Sequence, residues 1–268
     1  MTKRLLLCTF AILILAISLF LFLKKNEIED NNAELFCCSN DSIFSDENYP
    51  EHETSNFKPE TSNIKPETSN LKPEFSNLVN IRDIDSAILV DLKYSTTDNF
   101  TGMILYDDFD DAYLQPDVAL MLVEAQRYLR TLHDEDLRLL VYDAARPLSV
   151  QRTMWERVKD TPFHRYVANP NERHSLHNFA AAVDVTIADS SGVPWDMGTK
   201  FDHFGRAAGI NDEEGLIEQG LLTRQHVQNR QLLRKVMLHA GFRSISGEWW
   251  HFNACSLQEA TQRYTLIE

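Results

Sequence analysis

The chain has 268 residues, 43% apolar, 10% aromatic and 25% charged, a composition that excludes wholesale disorder and supplies apolar surface for one or two folded units. Its 26 Lys and Arg stand against 40 Asp and Glu, a formal net charge of −14, so the overall field repels phosphate backbones and no nucleic-acid partner is expected. Cys8, Cys37, Cys38 and Cys255 have neither the spacing of a disulfide framework nor the paired CxxC spacing of a structural zinc site.

In chain order, the first predicted element is a membrane segment. Lys3 and Arg4 precede nineteen uncharged residues, Leu5 to Leu23, closed by Lys24 and Lys25. As a helix these span about 28 Å, close to the roughly 30 Å of a bilayer core. The exit Phe20-Leu21-Phe22-Leu23-Lys24 has no small-x-small cleavage site, so residues 1–23 read as an uncleaved signal anchor rather than a removed signal peptide. A buried core helix, the alternative, would need polar punctuation that this segment lacks. Glu27, Glu29 and Asp30 after the second basic pair favour the amino end inside. The expected location is therefore membrane-anchored, with the rest of the chain in the periplasm or otherwise outside the cytoplasm.

Residues 24–80 read as an acidic tether of net charge −7. They carry the repeats Glu53-Thr-Ser-Asn-Phe-Lys-Pro, Glu60-Thr-Ser-Asn-Ile-Lys-Pro and Glu67-Thr-Ser-Asn-Leu-Lys-Pro, with a fading copy from Glu74. Seven residues is the coiled-coil period, but one apolar residue per copy and the prolines Pro59, Pro66 and Pro73 break any helix within two turns. Such a segment is extended and solvated, with an end-to-end distance of about 40 Å as a flexible coil. No protein partner is predicted.

From 81 to 268 the pattern is that of one globular domain of net charge −9. Candidate strands are Ala87 to Tyr94, Leu137 to Asp143, Ala182 to Ala188 and Trp249 to Asn253, short, β-branched or aromatic and bounded by turns. Candidate helices are Pro116 to Leu132, opened by proline, Ser149 to Lys159, and Thr223 to Ala240, closed by Gly241. The uneven spacing does not suit a regular parallel ladder, so the fold class expected is α+β, a mainly antiparallel sheet with flanking helices.

The chemistry is carried by Ser175-Leu-His177-Asn-Phe-Ala180-Ala-Ala182-Val-Asp184 and by Gly247-Glu248-Trp249-Trp250-His251-Phe252. His177, Asp184 and His251 make the three-ligand set of a catalytic zinc with a fourth position for water, and Glu248 supplies a base. Seven residues of strand span about 23 Å and seven of helix about 10 Å, so His177 and Asp184 can share an ion only if the chain turns at Asn178 to Ala181. Residues three apart on a regular strand face opposite sides, so Glu248 and His251 require an irregularity at Glu248. The remaining histidines, among them His174 beside the motif, read as surface or helix residues.

These motifs, with Tyr142-Asp-Ala-Ala-Arg146-Pro147, Asp91-Leu-Lys-Tyr94, Asp98-Asn-Phe-Thr-Gly102 and Asp196-Met-Gly-Thr-Lys-Phe-Asp202, resemble the D-alanyl-D-alanine dipeptidases of peptidase family M15. The resemblance runs from about residue 80 to 255. It implies the fold shared by zinc D,D-peptidases and hedgehog-type domains, one Zn2+ held by His177, Asp184 and His251, and Glu248 as the base. It further implies Arg146 as stabiliser of the reacting carbonyl, Asp202 and Tyr94 near the substrate ammonium, and Ser175 near the other end of a small D-amino-acid dipeptide. Where the family usually has glycine this chain has Ala180; if that backbone needs φ > 0, the turn is strained by about 1 kcal/mol or more. The function expected is hydrolysis of D-Ala-D-Ala in cell-wall precursor metabolism. The alternatives are a D,D- or L,D-carboxypeptidase acting on peptidoglycan stem peptides and a non-catalytic metal-stabilised module.

Overall fold

Short strands and amphipathic helices alternate along the chain from Val79 onward. In a computed structural model, the structure describes residues 77–268 except 107–109 and 134–135. The expected anchor, nearly all of the tether and the Cys37-Cys38 pair lie outside the described residues.

Strand β1 (Val79–Asn80) leads into helix α1 (Ile81–Ile84), with β2 (Leu89–Val90) and β3 (Tyr113–Leu114) following; β1 and β3 form a two-stranded antiparallel sheet. Helix α2 (Pro116–Leu132) opens on a proline and buries Val118, Ala119, Leu122, Ala125, Gln126 and Leu129, an i, i+3, i+4 stripe. The polar member of that stripe is satisfied by the next strand, β4 (Arg138–Asp143). Gln126 donates to the Leu137 carbonyl at 3.0 Å and accepts from the Leu139 N–H at 2.7 Å.

Pro147 precedes α3 (Leu148–Val158), and a 3-10 turn at Leu176–Phe179 leads to β5 (Ala182–Ala188), buried along its whole length. Then come α4 (Glu213–Glu218), α5 (Arg224–His239), β6 (Arg243–Ser244), β7 (His251–Asn253) and α6 (Leu257–Arg263). Thr223 and Ser256 cap α5 and α6, each completing a capping box three residues on.

The main sheet has the order β2-β4-β5-β7-β6. Three neighbouring pairs are antiparallel, but β2 and β4 run parallel, so the sheet is mixed. The expected strand from Ala87 to Tyr94 is confined to Leu89–Val90, because the chain then closes into a 3-10 turn at Lys93–Ser95. Val183, Val185 and Ile187 of β5 are fully buried in the main core with α2 and α5 residues such as Leu122 and Leu233. Each such side chain contributes about 1.5–3 kcal/mol.

Register decides what the sheet can do. Asp143, Asp184 and His251 lie side by side on β4, β5 and β7. Val141 pairs with Val185, so regular pairing would set Tyr142 opposite Asp184; an irregularity between Val141 and Asp143 brings Asp143 there instead. One inserted residue thus puts a second carboxylate beside Asp184.

The expected membrane-anchored localisation is corrected here. Among the described residues no helix is long and apolar enough to cross a membrane. The longest, α2, has Asp117, Glu124, Arg127 and Arg130 interleaved with its apolar stripe. The segment from Leu5 to Leu23 lies outside the described residues, and no membrane partner is carried forward.

The turn before β5 ends on Ala180 at φ 51, ψ 33, the left-handed region where glycine is free and alanine strained. Ala182, also fully buried, is an ordinary strand residue. Replacing Ala182 with glycine should cost about 1.5 kcal/mol, from backbone entropy and a lost methyl. Ala180→Gly loses the same contributions but regains about 1–2 kcal/mol of strain, so it should lie within about 0.5 kcal/mol of the parent. Urea unfolding of the two variants checks this; equal losses would mean that the turn stores no strain.

Candidate active site

The first site side chain is presented by a turn whose backbone is fully engaged. Ser175 caps the 3-10 turn, its Oγ accepting the His177 N–H, while Asn178 returns the contact to the Ser175 N–H. The Leu176 carbonyl accepts from Ala181, that of His177 from Arg146, that of Asn178 from Ile267 and that of Ala180 from Gln115. The Phe179 carbonyl accepts from the Gln115 side chain at 2.9 Å, and Asn178 Nδ2 donates to the Arg146 carbonyl at 2.9 Å. A buried turn with every one of these carbonyls paired has little freedom to move. It reverses the chain between His177 and Asp184, as the spacing demanded.

His177 Nε2, His251 Nδ1 and Asp184 Oδ1 face one another at 3.2, 3.0 and 3.4 Å. Among the described residues these three form the cluster with metal-ligating potential. Their other contacts orient the rings. His177 Nδ1 lies 2.7 Å from the Ala144 carbonyl, which only accepts, so a proton sits there and Nε2 is the nitrogen turned to the cluster. His251 faces acceptors on both sides, Asn253 Oδ1 at 2.8 Å from Nε2 and Asp184 Oδ1 at 3.0 Å from Nδ1. Three potential ligand atoms therefore converge. Ligands about 2.0–2.2 Å from a tetrahedral ion are themselves about 3.3–3.6 Å apart, and the three separations come within about 0.3 Å of that range, close enough for the group to hold a divalent cation. Burial raises the Asp184 pKa, but His177 and His251 outweigh it and hold the carboxyl well below its usual range.

Glu248 lies between two bends, at 246–247 and 249–250, and β7 begins only at His251, so the expected irregularity is present. The segment is tied down by the Ser246 carbonyl accepting from Ile210, Trp249 N–H donating to Ala208, and the Trp250 carbonyl accepting from Val185. Trp249 and Trp250 are buried edge to face, and Trp249 Nε1 donates to Thr199 at 2.8 Å. Burial, reinforced by the Asp184 and Asp202 charges, pushes the Glu248 carboxyl up to about 7 against the opposing effects of His251 and Arg146.

Arg146 is 8% exposed and held on three sides. Its Nε and Nη2 donate to Asp143 Oδ2 at 2.8 and 2.5 Å, and Nη1 donates to Gln151 at 2.9 Å. Its Nη2 is 3.7 Å from Asp184 Oδ2, and its guanidinium sits 5.2 Å from the Tyr94 ring centre. The other Asp143 oxygen accepts from the Tyr106 hydroxyl at 2.7 Å. Pairing with Asp143 thus coexists with a place beside Asp184.

Asp202 stands at φ 60 and accepts from the Tyr94 hydroxyl at 3.1 Å and the Phe100 N–H at 3.3 Å. Burial and the Asp184 charge push its carboxyl up to about 7, against Phe100, Arg146 and Tyr94. Burial and Asp202 in turn raise the Tyr94 phenol. Ser175 enters the site through its capping contact rather than through the donor cluster. Asn253, Tyr106 and Gln151 were not anticipated. Asn253 was open to discovery, since it lies two residues after His251 and so on the same strand face; nothing in the sequence marked the other two.

A family model described as D-ala-D-ala dipeptidase matches residues 74–266. The D-alanyl-D-alanine dipeptidase of Escherichia coli (strain K12) is 30% identical over 175 residues, 65% of this chain and 83% of the relative. That of Enterococcus faecalis (strain ATCC 700802 / V583) is 30% identical over 184 residues, 60% of this chain and 83% of the relative. That of Synechocystis sp. (strain ATCC 27184 / PCC 6803 / Kazusa) is 29% identical over 144 residues, 43% and 58% of the two chains.

Two carboxyls pushed up to about 7 from ordinary values of 3.8 and 4.5 set a pH dependence for the metal-free protein. The unfolded chain releases these protons near pH 4, whereas the folded chain keeps them to about pH 7. This contribution is therefore fully present below about pH 4 and is lost as pH rises to about 7. The urea midpoint of chelator-treated protein should fall across that window, and Asp202→Asn should flatten the slope. A midpoint that rises with pH, unchanged by the substitution, would contradict it.

Proposed function

The chain belongs to the D-alanyl-D-alanine dipeptidase family, and on that premise we propose that it hydrolyses D-Ala-D-Ala, a step of cell-wall precursor metabolism, with one Zn2+ held by His177, Asp184 and His251. The observation that carries this reading is the convergence of three potential ligand atoms at 3.0–3.4 Å, with Glu248 buried close enough to His251, Asp184 and Arg146 for their charges to act on its carboxyl. A purely structural site closes its shell with a fourth protein ligand and needs no base.

Bound zinc supplies Lewis acidity and lowers the pKa of a coordinated water from 15.7 toward about 7. The Glu248 carboxylate takes the proton of the attacking water and returns it to the leaving amine. A group poised near neutrality is suited to both transfers. The Arg146 guanidinium, fixed by Asp143 and Gln151 before substrate arrives, meets the charge that grows on the carbonyl oxygen. Asp202, buried and acceptor-only when ionised, receives the substrate ammonium with Tyr94 beside it, and Ser175 is assigned to the other end of the dipeptide. Such an arrangement disfavours peptides extended or blocked at the amine.

Glu248→Gln keeps the shape of the side chain and should lower kcat by about 10²–10⁴-fold while zinc content is unchanged. Arg146→Ala should lower kcat by about 10²–10³-fold. Chelation should abolish hydrolysis and added zinc restore it. In a panel of the free dipeptide with tetra- and pentapeptides, the dipeptide should be preferred; preference for the longer chains would replace the dipeptidase reading with a carboxypeptidase. Undiminished hydrolysis by Glu248→Gln would remove its role as base.

A further inference from the structure

We propose that Ile267, on the segment that follows α6, is a positioning residue that holds the His177 turn in its ligating conformation. The inference rests on the metal-holding reading of the site and names an element that reading does not use. Three observations meet at this residue. Its N–H donates to the Asn178 carbonyl at 2.9 Å, and its carbonyl accepts from the Leu148 N–H at 2.8 Å. One peptide segment therefore bridges the turn that presents His177 and the entry to α3, directly after Arg146 and Pro147. Its side chain, 8% exposed, shares a small cluster with Ala145 and Ala180.

Ala180 is the strained residue of the turn, and its methyl is what an apolar side chain can brace. Left-handed alanine persists only where its surroundings hold it; Ile267 covers that methyl on one side. Its neighbours Leu266 and Tyr264 pack in a separate cluster with Phe179 and Ala181, the residues on either side of Ala180. The segment is moored by the Tyr264 hydroxyl donating to Asp117 at 2.8 Å and by an Arg263–Asp117 ion pair. The His177 ring depends on both bridged pieces, its Nδ1–H being received by the Ala144 carbonyl at 2.7 Å. A shift of either piece changes where Nε2 points.

The test compares Ile267→Ala with Leu216→Ala, a similar loss from a separate buried cluster around Leu222 and Val227. Both should lower the melting temperature. Only Ile267→Ala should weaken zinc binding in a chelator-competition titration, by about 10–100-fold, the range for residues that orient ligands. It should also speed amide hydrogen exchange at Ala180 and Ala181, whose N–H groups close the turn, in the metal-free protein. Ile267→Val, missing one methyl, should lie between it and the parent on both readouts, and it carries the comparison should Ile267→Ala not fold. Equal zinc affinity and equal exchange in the Ile267 and Leu216 variants would overturn the proposal. A parent protein that binds no zinc would sink the metal reading instead, leaving the exchange comparison to decide the role of Ile267.

Discussion

One buried triangle of potential ligand atoms is the constraint around which the site is organised. His177 Nε2, His251 Nδ1 and Asp184 Oδ1 approach to 3.0–3.4 Å, while the far ring nitrogens meet the Ala144 carbonyl and Asn253. Two imidazoles and an ionised carboxylate in so small a buried space call for positive charge, which a held cation would supply. The depressed Asp184 carboxyl expresses the same demand, since it stays ionised although buried. Such convergence has to be imposed by the surrounding structure.

Two devices impose it. The sheet supplies a row, Asp143, Asp184 and His251, set by strand register and by the irregularity in β4. The turn supplies His177, and its carbonyls are paired with groups from before α2, after β4 and after α6. Sites built on paired backbone are held more closely than sites on loose loops. That rigidity is compatible with strain, which explains how Ala180 stands where the backbone favours glycine. Asp202, the other positive-φ residue that is not glycine among the described residues, is likewise over-determined by Tyr94 and Phe100.

The long periodic elements were legible from sequence because their own residues specify them. The helix from Pro116 to Leu132 and the strand from Ala182 to Ala188 occupy their expected bounds. The motif resemblance extends over the matched family region. The required turn between His177 and Asp184, and the irregularity at Glu248, could be deduced because ligand distance forbids regular structure there. Unreadable were features that depend on partners far along the chain. The parallel β2–β4 pair, the slip that turns Asp143 toward Asp184, and Gln151 bracing Arg146 have no local signature. The predicted strand at Ala87 overran because β-propensity is blind to a 3-10 closure stabilised elsewhere.

Charge balance links the site's selectivity to the same constraint. Asp143 and Arg146 form a neutral buried pair, which leaves Asp184, Glu248 and Asp202 as the uncompensated carboxyls. On the proposed reading a divalent cation and a substrate ammonium bring three positive charges to these three acids. A peptide blocked at its amine brings no charge to Asp202, loses the ionic contact and displaces water from a polar pocket without replacing its hydrogen bonds. On that reading, discrimination against such peptides is electrostatic and rests on the same acidic cluster that would hold the metal.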